Sequence, residues 1–289
     1  MILCPDCRVP VASLDADGCS SCSWQSDRVE GIPVFLSSND RGGGLFPEYL
    51  ANYDRIAGDD LDASIQDPSF LEQEADELES HIGPVAGKSV LDVGVGQGVL
   101  FDRLRRLQPA QLVGVDISVA YLRRYAGANG TRVVLANAEN MPFRDEFDLA
   151  VAADVLEHVL NVSDMLVSLN EALVQGGTLA VRVPYKDNLL QYARLRGCKY
   201  DMVHLRNFAE DNLTDLLAHA GFEVQRLHYG GFAVYRPRPY VVATEAGRRL
   251  WAIAGRHLPQ RADGFLSLGP RLGRLLTVPV VVTAIARKR

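Results

Sequence analysis

The chain has 289 residues, the length of one large domain or two small ones. Apolar residues make up 47% and charged residues 23%, which excludes collagen, coiled-coil and mainly disordered chains. The net charge of −6 is uneven: Asp40–Ser80 carries twelve acids against two arginines, and Arg236–Arg289 carries ten arginines and one lysine against two acids.

The first of these blocks is expected to repel nucleic-acid phosphates and the second to attract anions, unless both are simply solvated helix faces. Every apolar run is far shorter than the about 20 residues of a membrane helix. The start, MILCPDC, offers no basic-then-apolar leader, so the chain is expected to be cytoplasmic with reduced thiols.

Residues 1–36 hold two C-x2-C pairs, Cys4/Cys7 and Cys19/Cys22, separated by eleven residues. Each pair suits a tight turn that aims two thiolates at one ion, and four sulfurs form the closed tetrahedral shell of structural zinc. So short a segment is expected to draw its folding free energy from the metal. A closed shell leaves no open position, so no catalysis is assigned to it. Residues 37–85 read as a linker, Ser37–Gly44, followed by cap helices over Pro47–Ala57 and Phe70–Ile82.

From residue 86 onward, apolar strand patterns alternate with helical ones. Strands are expected at Ser89–Val95, Gln111–Ile117, Arg132–Ala136, Phe147–Ala153, Thr178–Val183 and Phe222–Tyr229. Helices are expected at Gly98–Leu107, Val119–Ala126, Met165–Val174 and Glu210–Ala220, with Ser163 as N-cap of the third and Gly176-Gly177 as its stop. This alternation predicts a parallel sheet covered on both faces. Segment 231–275 is rich in Pro and Arg, with helical spacing near Glu245–His257, and Val278–Arg287 reads as a last strand.

The central motif is Asp92-Val93-Gly94-Val95-Gly96-Gln97-Gly98, between a strand and a helix. Its glycines let the backbone turn sharply and approach a ligand. Asp116 ends the next strand, where a carboxylate can accept from both hydroxyls of a ribose. The spacing differs from G-x-G-x-x-G and from the phosphate loop of NTPases. An acid there repels a pyrophosphate but suits a cationic, methionine-type ligand.

These residues resemble the first two motifs of class I S-adenosylmethionine (SAM)-dependent methyltransferases of the type 11-like group. Ala136–Phe143 resembles the third motif, with Asn137 where Asp is usual; the Asn oxygen is still expected to accept from the adenine amino group. Phe147–Ala150 through Asp154–Val159 resembles the fourth motif, and Gly176–Leu179 the turn before strand five. The resemblance implies an α/β, seven-stranded Rossmann-like sheet with an antiparallel last strand, carried by residues 86–289 with insertions at 184–209 and 231–275. It implies SAM contacts from Tyr53, Asp92, Gly94, Gly96, Gly98, Asp116, Ile117, Asn137, Ala138, Glu139 and Ala153.

SAM carries the reactive methyl, so no metal is required for transfer. The base is not determined by the sequence. His204, in the insertion after strand five, and His158, in Leu156-Glu157-His158, are the catalytic candidates, beside a structural hydrogen-bonding role for His204 and a structural or cofactor-side role for His158; Tyr185, Lys186 and Tyr200 are weaker acceptor contacts. Cys198 reads as an ordinary thiol.

The segment Asp201–Phe208 resembles enzymes that methylate sugars, lipid-linked glycans and secondary metabolites, which implies O-methylation of a small-molecule or glycan-type acceptor. The alternatives are an rRNA methyltransferase that reads RNA through its ribbon, or an inactive methyltransferase-like interaction protein. A net charge of −3 over residues 1–36 disfavours the nucleic acid. Ribbons of this type also resemble methyltransferase activator subunits, which fits an interaction or homodimerisation module. The eight arginines of Arg236–Arg274 would clamp an anionic acceptor, hold the chain peripherally on an anionic membrane, or simply be solvated.

Overall fold

The computed structural model describes residues 1–42, 46–62, 68–185, 204–230, 233–234, 277–278 and 281–289. The N-terminal segment forms β1 (Ile2–Leu3), β2 (Pro10–Val11), β3 (Asp27–Val29) and β4 (Ile32–Val34). Helices α1 (Ser38–Gly42), α2 (Phe46–Asp62) and α3 (Pro68–Ile82) follow. Next come β5 (Ser89–Val93), α4 (Val99–Arg106), β6 (Gln111–Asp116), α5 (Val119–Leu122), β7 (Arg132–Leu135) and β8 (Phe147–Ala153). Then α6 (Val162–Ala172), β9 (Leu173–Pro184), α7 (Glu210–His219) and β10 (Phe222–Gly230) are succeeded by β11 (Ala233–Val234), β12 (Thr277–Val278) and β13 (Val281–Lys288).

One mixed sheet of nine strands runs in the order β10-β13-β9-β8-β5-β6-β7-β4-β3. The seven expected strands are all present, and β13 lies antiparallel between β10 and β9. The runs Val90–Val93 and Leu149–Ala152 are buried without alternation because helices cover both faces of the sheet. Strand order reverses at β5, which pairs in parallel with β6 on one side and β8 on the other. A crevice opens there, beyond the carboxyl ends of the strands.

Two further strands come from the N-terminal segment. Val34 of β4 pairs in parallel with Leu135, and Phe35 N–H donates to Leu135 O at 2.8 Å. Cys4, Leu14, Trp24 and Phe35 are buried in the same core as Leu91, Val113 and Phe143. The expectation that metal alone replaces a core in this segment is therefore corrected: it packs on the core of the main sheet. Arg8 fastens it further, donating to Asn140 Oδ1 and Met141 O at 2.8 Å each and pairing with Glu171 at 2.5 Å.

Local structure departs from expectation in four places. Ser37–Gly44 is not simply a linker; α1 forms because Asp40 caps Ser37 N–H and Oγ at 2.9 and 2.7 Å, while Asp6 holds Ser38. The helix expected over Val119–Ala126 is one α-turn continued by a 3₁₀ turn at Arg123–Tyr125. The N-cap of α6 is Asn161, whose Oδ1 accepts from Ser163 N at 3.1 Å, rather than Ser163 itself. Gly176-Gly177 does not end that helix. It sits within β9, where Gly176 has φ +73° and the pairing with β8 slips register.

Of the two insertions, residues 186–203 and nearly all of 231–275 lie outside the described residues. Lys186, Cys198, Tyr200, the helical pattern at Glu245–His257 and the arginines of Arg236–Arg274 are among them. No helix among the described residues is long and apolar enough to cross a membrane.

The capping geometry separates two neighbouring residues. Asn161→Ala is expected to lower stability by about 1 kcal/mol in urea unfolding, whereas Ser163→Ala stays within about 0.5 kcal/mol.

Candidate functional site

Hairpin β1–β2 and the loop before β3 bring four thiols together. Cys4 and Cys22 Sγ lie 3.5 Å apart, as do Cys7 and Cys19 Sγ, and all four lie within 4.8 Å of one another. Four sulfurs on one zinc at about 2.3 Å would be separated by about 3.8 Å, so the cluster is compatible with structural zinc. Ser21 N–H donates to Cys19 Sγ at 3.4 Å and lowers that thiol to about 7, while burial pushes Cys4 up to about 12. A cation holding all four as thiolates must therefore offset the burial of Cys4.

A cavity of about 360 Å³ occupies the crevice at the ends of β5, β6, β8 and β9. Its floor is the glycine loop after β5, and α2 and α3 form the facing wall. Asp60 of α2 ties that wall to the floor. It accepts from Gln97 Nε2 and from Tyr121 Oη, each at 2.9 Å.

Asp116 lines the cavity at the end of β6. Its two oxygens accept from Gly96 N at 3.0 Å and Ser118 N at 2.9 Å, which fixes the carboxylate plane. Each oxygen keeps a further lone pair for a ligand hydroxyl. Burial raises its pKa from 3.8 to about 6, against the pull of those backbone N–H groups. Asp92, in β5, is buried, and burial, with the neighbouring Asp116 carboxylate, pushes its pKa up to about 8.

Across the cavity lies a buried ionic knot. Arg182 of β9 donates to Glu74 Oε2 of α3 at 2.7 Å and, through Nε, to Asp154 Oδ2 at 3.0 Å. Burial raises Glu74 to about 7 even with the guanidinium beside it. His158 and His204 line the same cavity, with ring centroids 4.8 Å apart and planes at 79°. Tyr53 meets His158 edge-on at 5.9 Å, and Tyr49 Oη donates to His158 O at 3.1 Å.

The structure thus brings Tyr53, Gly94, Gly96, Gly98, Asp116, Ile117, Asn137, Ala138 and Ala153 to one cavity, together with His158 and His204. Asp92 and Glu139 do not line it. Glu139 instead accepts from Leu160 N at 2.8 Å. Asn137 lines it, but its Oδ1 already accepts from Glu139 N and its Nδ2 donates to Asp40 Oδ1, each at 3.0 Å. Residues not anticipated are Tyr49, Asp60, Glu74, Gln97, Tyr121 and Arg182. Arg182 alone had a signal, a charge within the apolar run of a central strand.

A glycine loop at the switch point, with an acid ending the next strand, defines an α/β protein built to hold a nucleoside-type ligand. The profile of the methyltransferase-domain family matches residues 65–227, more than half of the chain, and the chain belongs to that family. An uncharacterized protein of Methanocaldococcus jannaschii is 28% identical over 148 residues, 50% of this chain and 64% of that protein. A tRNA U34 carboxymethyltransferase of a Shewanella species is 32% identical over 113 residues, 37% of this chain and 34% of that enzyme. The chain matches less than two thirds of the length of either relative.

Among solved structures, the 1,6-didemethyltoxoflavin-N1-methyltransferase of Burkholderia thailandensis, bound to 1,6-didemethyltoxoflavin and S-adenosylhomocysteine, aligns with a TM-score of 0.53. The alignment covers 84% of this chain and 88% of that one at 16% identity, a likeness of fold.

Metal analysis of chelator-washed protein should find one zinc per chain, and the zinc held by the thiols should be lost from a protein carrying both Cys4→Ser and Cys22→Ser. Zinc-free wild-type protein with four freely reactive thiols would contradict the assignment.

Proposed function

We propose that the chain transfers a methyl group from SAM to a hydroxyl of a small-molecule or glycan-type acceptor. The observation that carries this reading is a single cavity lined both by the glycine loop with Asp116 and by the pair His158/His204. At about 360 Å³ the cavity falls within the span of about 300–1,000 Å³ of ligand pockets.

SAM would supply an electrophilic methyl on a sulfonium. In this reading Asp116 accepts from the ribose hydroxyls, and Tyr53, Asn137 and Ala138 border the nucleoside. The uncommitted face of Asn137 is narrowed by its bonds to Glu139 and Asp40, so Ala138 and Ile117 carry more of the adenine contact than the resemblance implies. Helices α2 and α3 exclude water from the reacting centre. His158 and His204 meet the acceptor's hydroxyl. The acceptor oxygen must come within about 3–3.5 Å of the methyl carbon, in line with the departing sulfur.

The name of the Shewanella relative raises an RNA acceptor. Helices α2 and α3 carry ten acids against Arg55 alone among Lys and Arg; Arg103 and Arg182 pair with four of them, and the remaining acids still disfavour phosphates at this wall. The oriented carboxylate of Asp116 weighs against an inactive, purely interacting role.

Asp116→Ala leaves ribose hydroxyls unpaired, at roughly 1.5–3 kcal/mol for bonds to a charged group. Calorimetry should show SAM affinity lowered by about tenfold or more, and unchanged affinity would refute the placement. Because Asp116 is raised to about 6, its fully accepting form predominates only above that pH. SAM affinity is therefore expected to fall as pH is lowered through 6. The sign for the ligand-free fold is opposite: a raised acid favours the protonated folded state, so stability drops as pH rises from about 4 to 6. Turnover screened against nucleotide sugars, glycolipids, natural-product scaffolds and stripped ribosomes tests the acceptor class, and methylation of RNA alone would overturn it.

A further inference from the structure

Glu157, His158 and His204 place one carboxylate oxygen and two ring nitrogens within 4.8 Å of one another. Glu157 is 0% exposed, and its Oε1 lies 3.8 Å from His158 Nε2. His204 comes from a different part of the chain and is held there by its neighbours. Leu205 N–H donates to Glu157 O at 2.8 Å, and the Arg206 guanidinium donates to the carbonyl oxygens of Val159 and Leu160. These three bonds pin the 204–206 segment against the loop that carries the other two groups.

We propose that these three residues bind a divalent first-row transition-metal ion at the cavity wall, a second metal site distinct from the four thiols. Two ligands at about 2.1 Å from one ion lie about 3–3.5 Å apart when adjacent. The observed spacing, up to 4.8 Å with Glu157 and His158 at 3.8 Å, is wider than this, so the three side chains must draw in on the ion. Two imidazoles and one carboxylate are borderline donors, which suit Zn²⁺, Fe²⁺ or Co²⁺. Mg²⁺ and Ca²⁺ favour oxygen shells and fit poorly.

Three protein ligands leave a position open, unlike the four-sulfur shell. Both histidines line the cavity, so that position faces the place assigned to the acceptor. A hydroxyl oxygen there would be made more acidic by the ion, as bound water is. This use of the site rests on the methyltransferase reading; the binding of the ion does not.

The test is a titration of protein holding its ribbon zinc with Co²⁺ alone, without SAM, followed by visible absorption and calorimetry. One equivalent is expected to bind with d–d bands of nitrogen and oxygen coordination and no sulfur charge-transfer band. Affinity should fall by about tenfold or more in both Glu157→Gln and His204→Ala. Retention of cooperative unfolding shows that each variant is folded, and His204→Ala keeps the test decisive if removing the buried charge unfolds the first. Absence of Co²⁺ binding beyond the ribbon, or equal affinity in the folded variants, overturns the proposal. Co²⁺ binding in protein that fails to bind SAM would keep the metal site and sink the methyltransferase reading; SAM binding without Co²⁺ would do the reverse.

Discussion

The turn after β5 is the constraint on which the cavity depends. Gly94 has φ +82°, and a Cβ there would lie 2.3 Å from Val155 Cγ2. Gly98 has φ +78°, and a Cβ there would lie 2.0 Å from Tyr125 Oη. Both positions combine a left-handed backbone with no room for a side chain, so the chain can turn here only as glycine. The turn then delivers Gly96 N–H to Asp116, aims α4 back along the sheet and leaves the ends of β5 and β6 open. The contacts of Gln97 with Asp60, and through Asp60 with Tyr121, follow from the same loop.

The N-terminal segment is joined to this framework as much by backbone pairing as by its cysteines. Leu3 N donates to Pro142 O at 2.8 Å, Asn140 Nδ2 donates to Pro5 O at 2.8 Å, and Arg123 holds Glu30 through two bonds of 2.6 and 2.7 Å. Several of these contacts fall on the loop after β7, which also presents Asn137 and Ala138 to the cavity. The thiol cluster is therefore mechanically continuous with one wall of the site, through a stretch of chain only a few residues long.

Much of this was legible in the sequence wherever the signal is local. The strands β5, β6 and β8 are mostly apolar, with Asp92 and Asp148 the acids inside β5 and β8, and the spacing of Gly94, Gly96, Gly98 and Asp116 carries its own geometry. What escaped is set by distance or by competition between neighbours. Glu74 and Arg182 stand 108 positions apart, and no spacing rule pairs them. Asn161 and Ser163 are both good capping residues, and which one caps depends on where β8 delivers the chain. Gly176-Gly177 reads as a helix stop, but β9 already begins at Leu173, paired with Phe147, and a glycine pair serves equally well as an irregularity within a strand.

The place of β4 and β3 at the sheet margin has a colloidal consequence. Without them, β7 would present a row of open amide and carbonyl groups beside an apolar face, a template for another chain to add to. The strand that takes the margin instead, β3, is three residues long, exposed throughout, and carries Asp27 and Arg28. Short, charged and solvated strands make poor templates for intermolecular pairing. The cysteine-bearing segment therefore covers the β7 edge with a short, charged strand, and its removal would leave the longer β7 edge open to pairing.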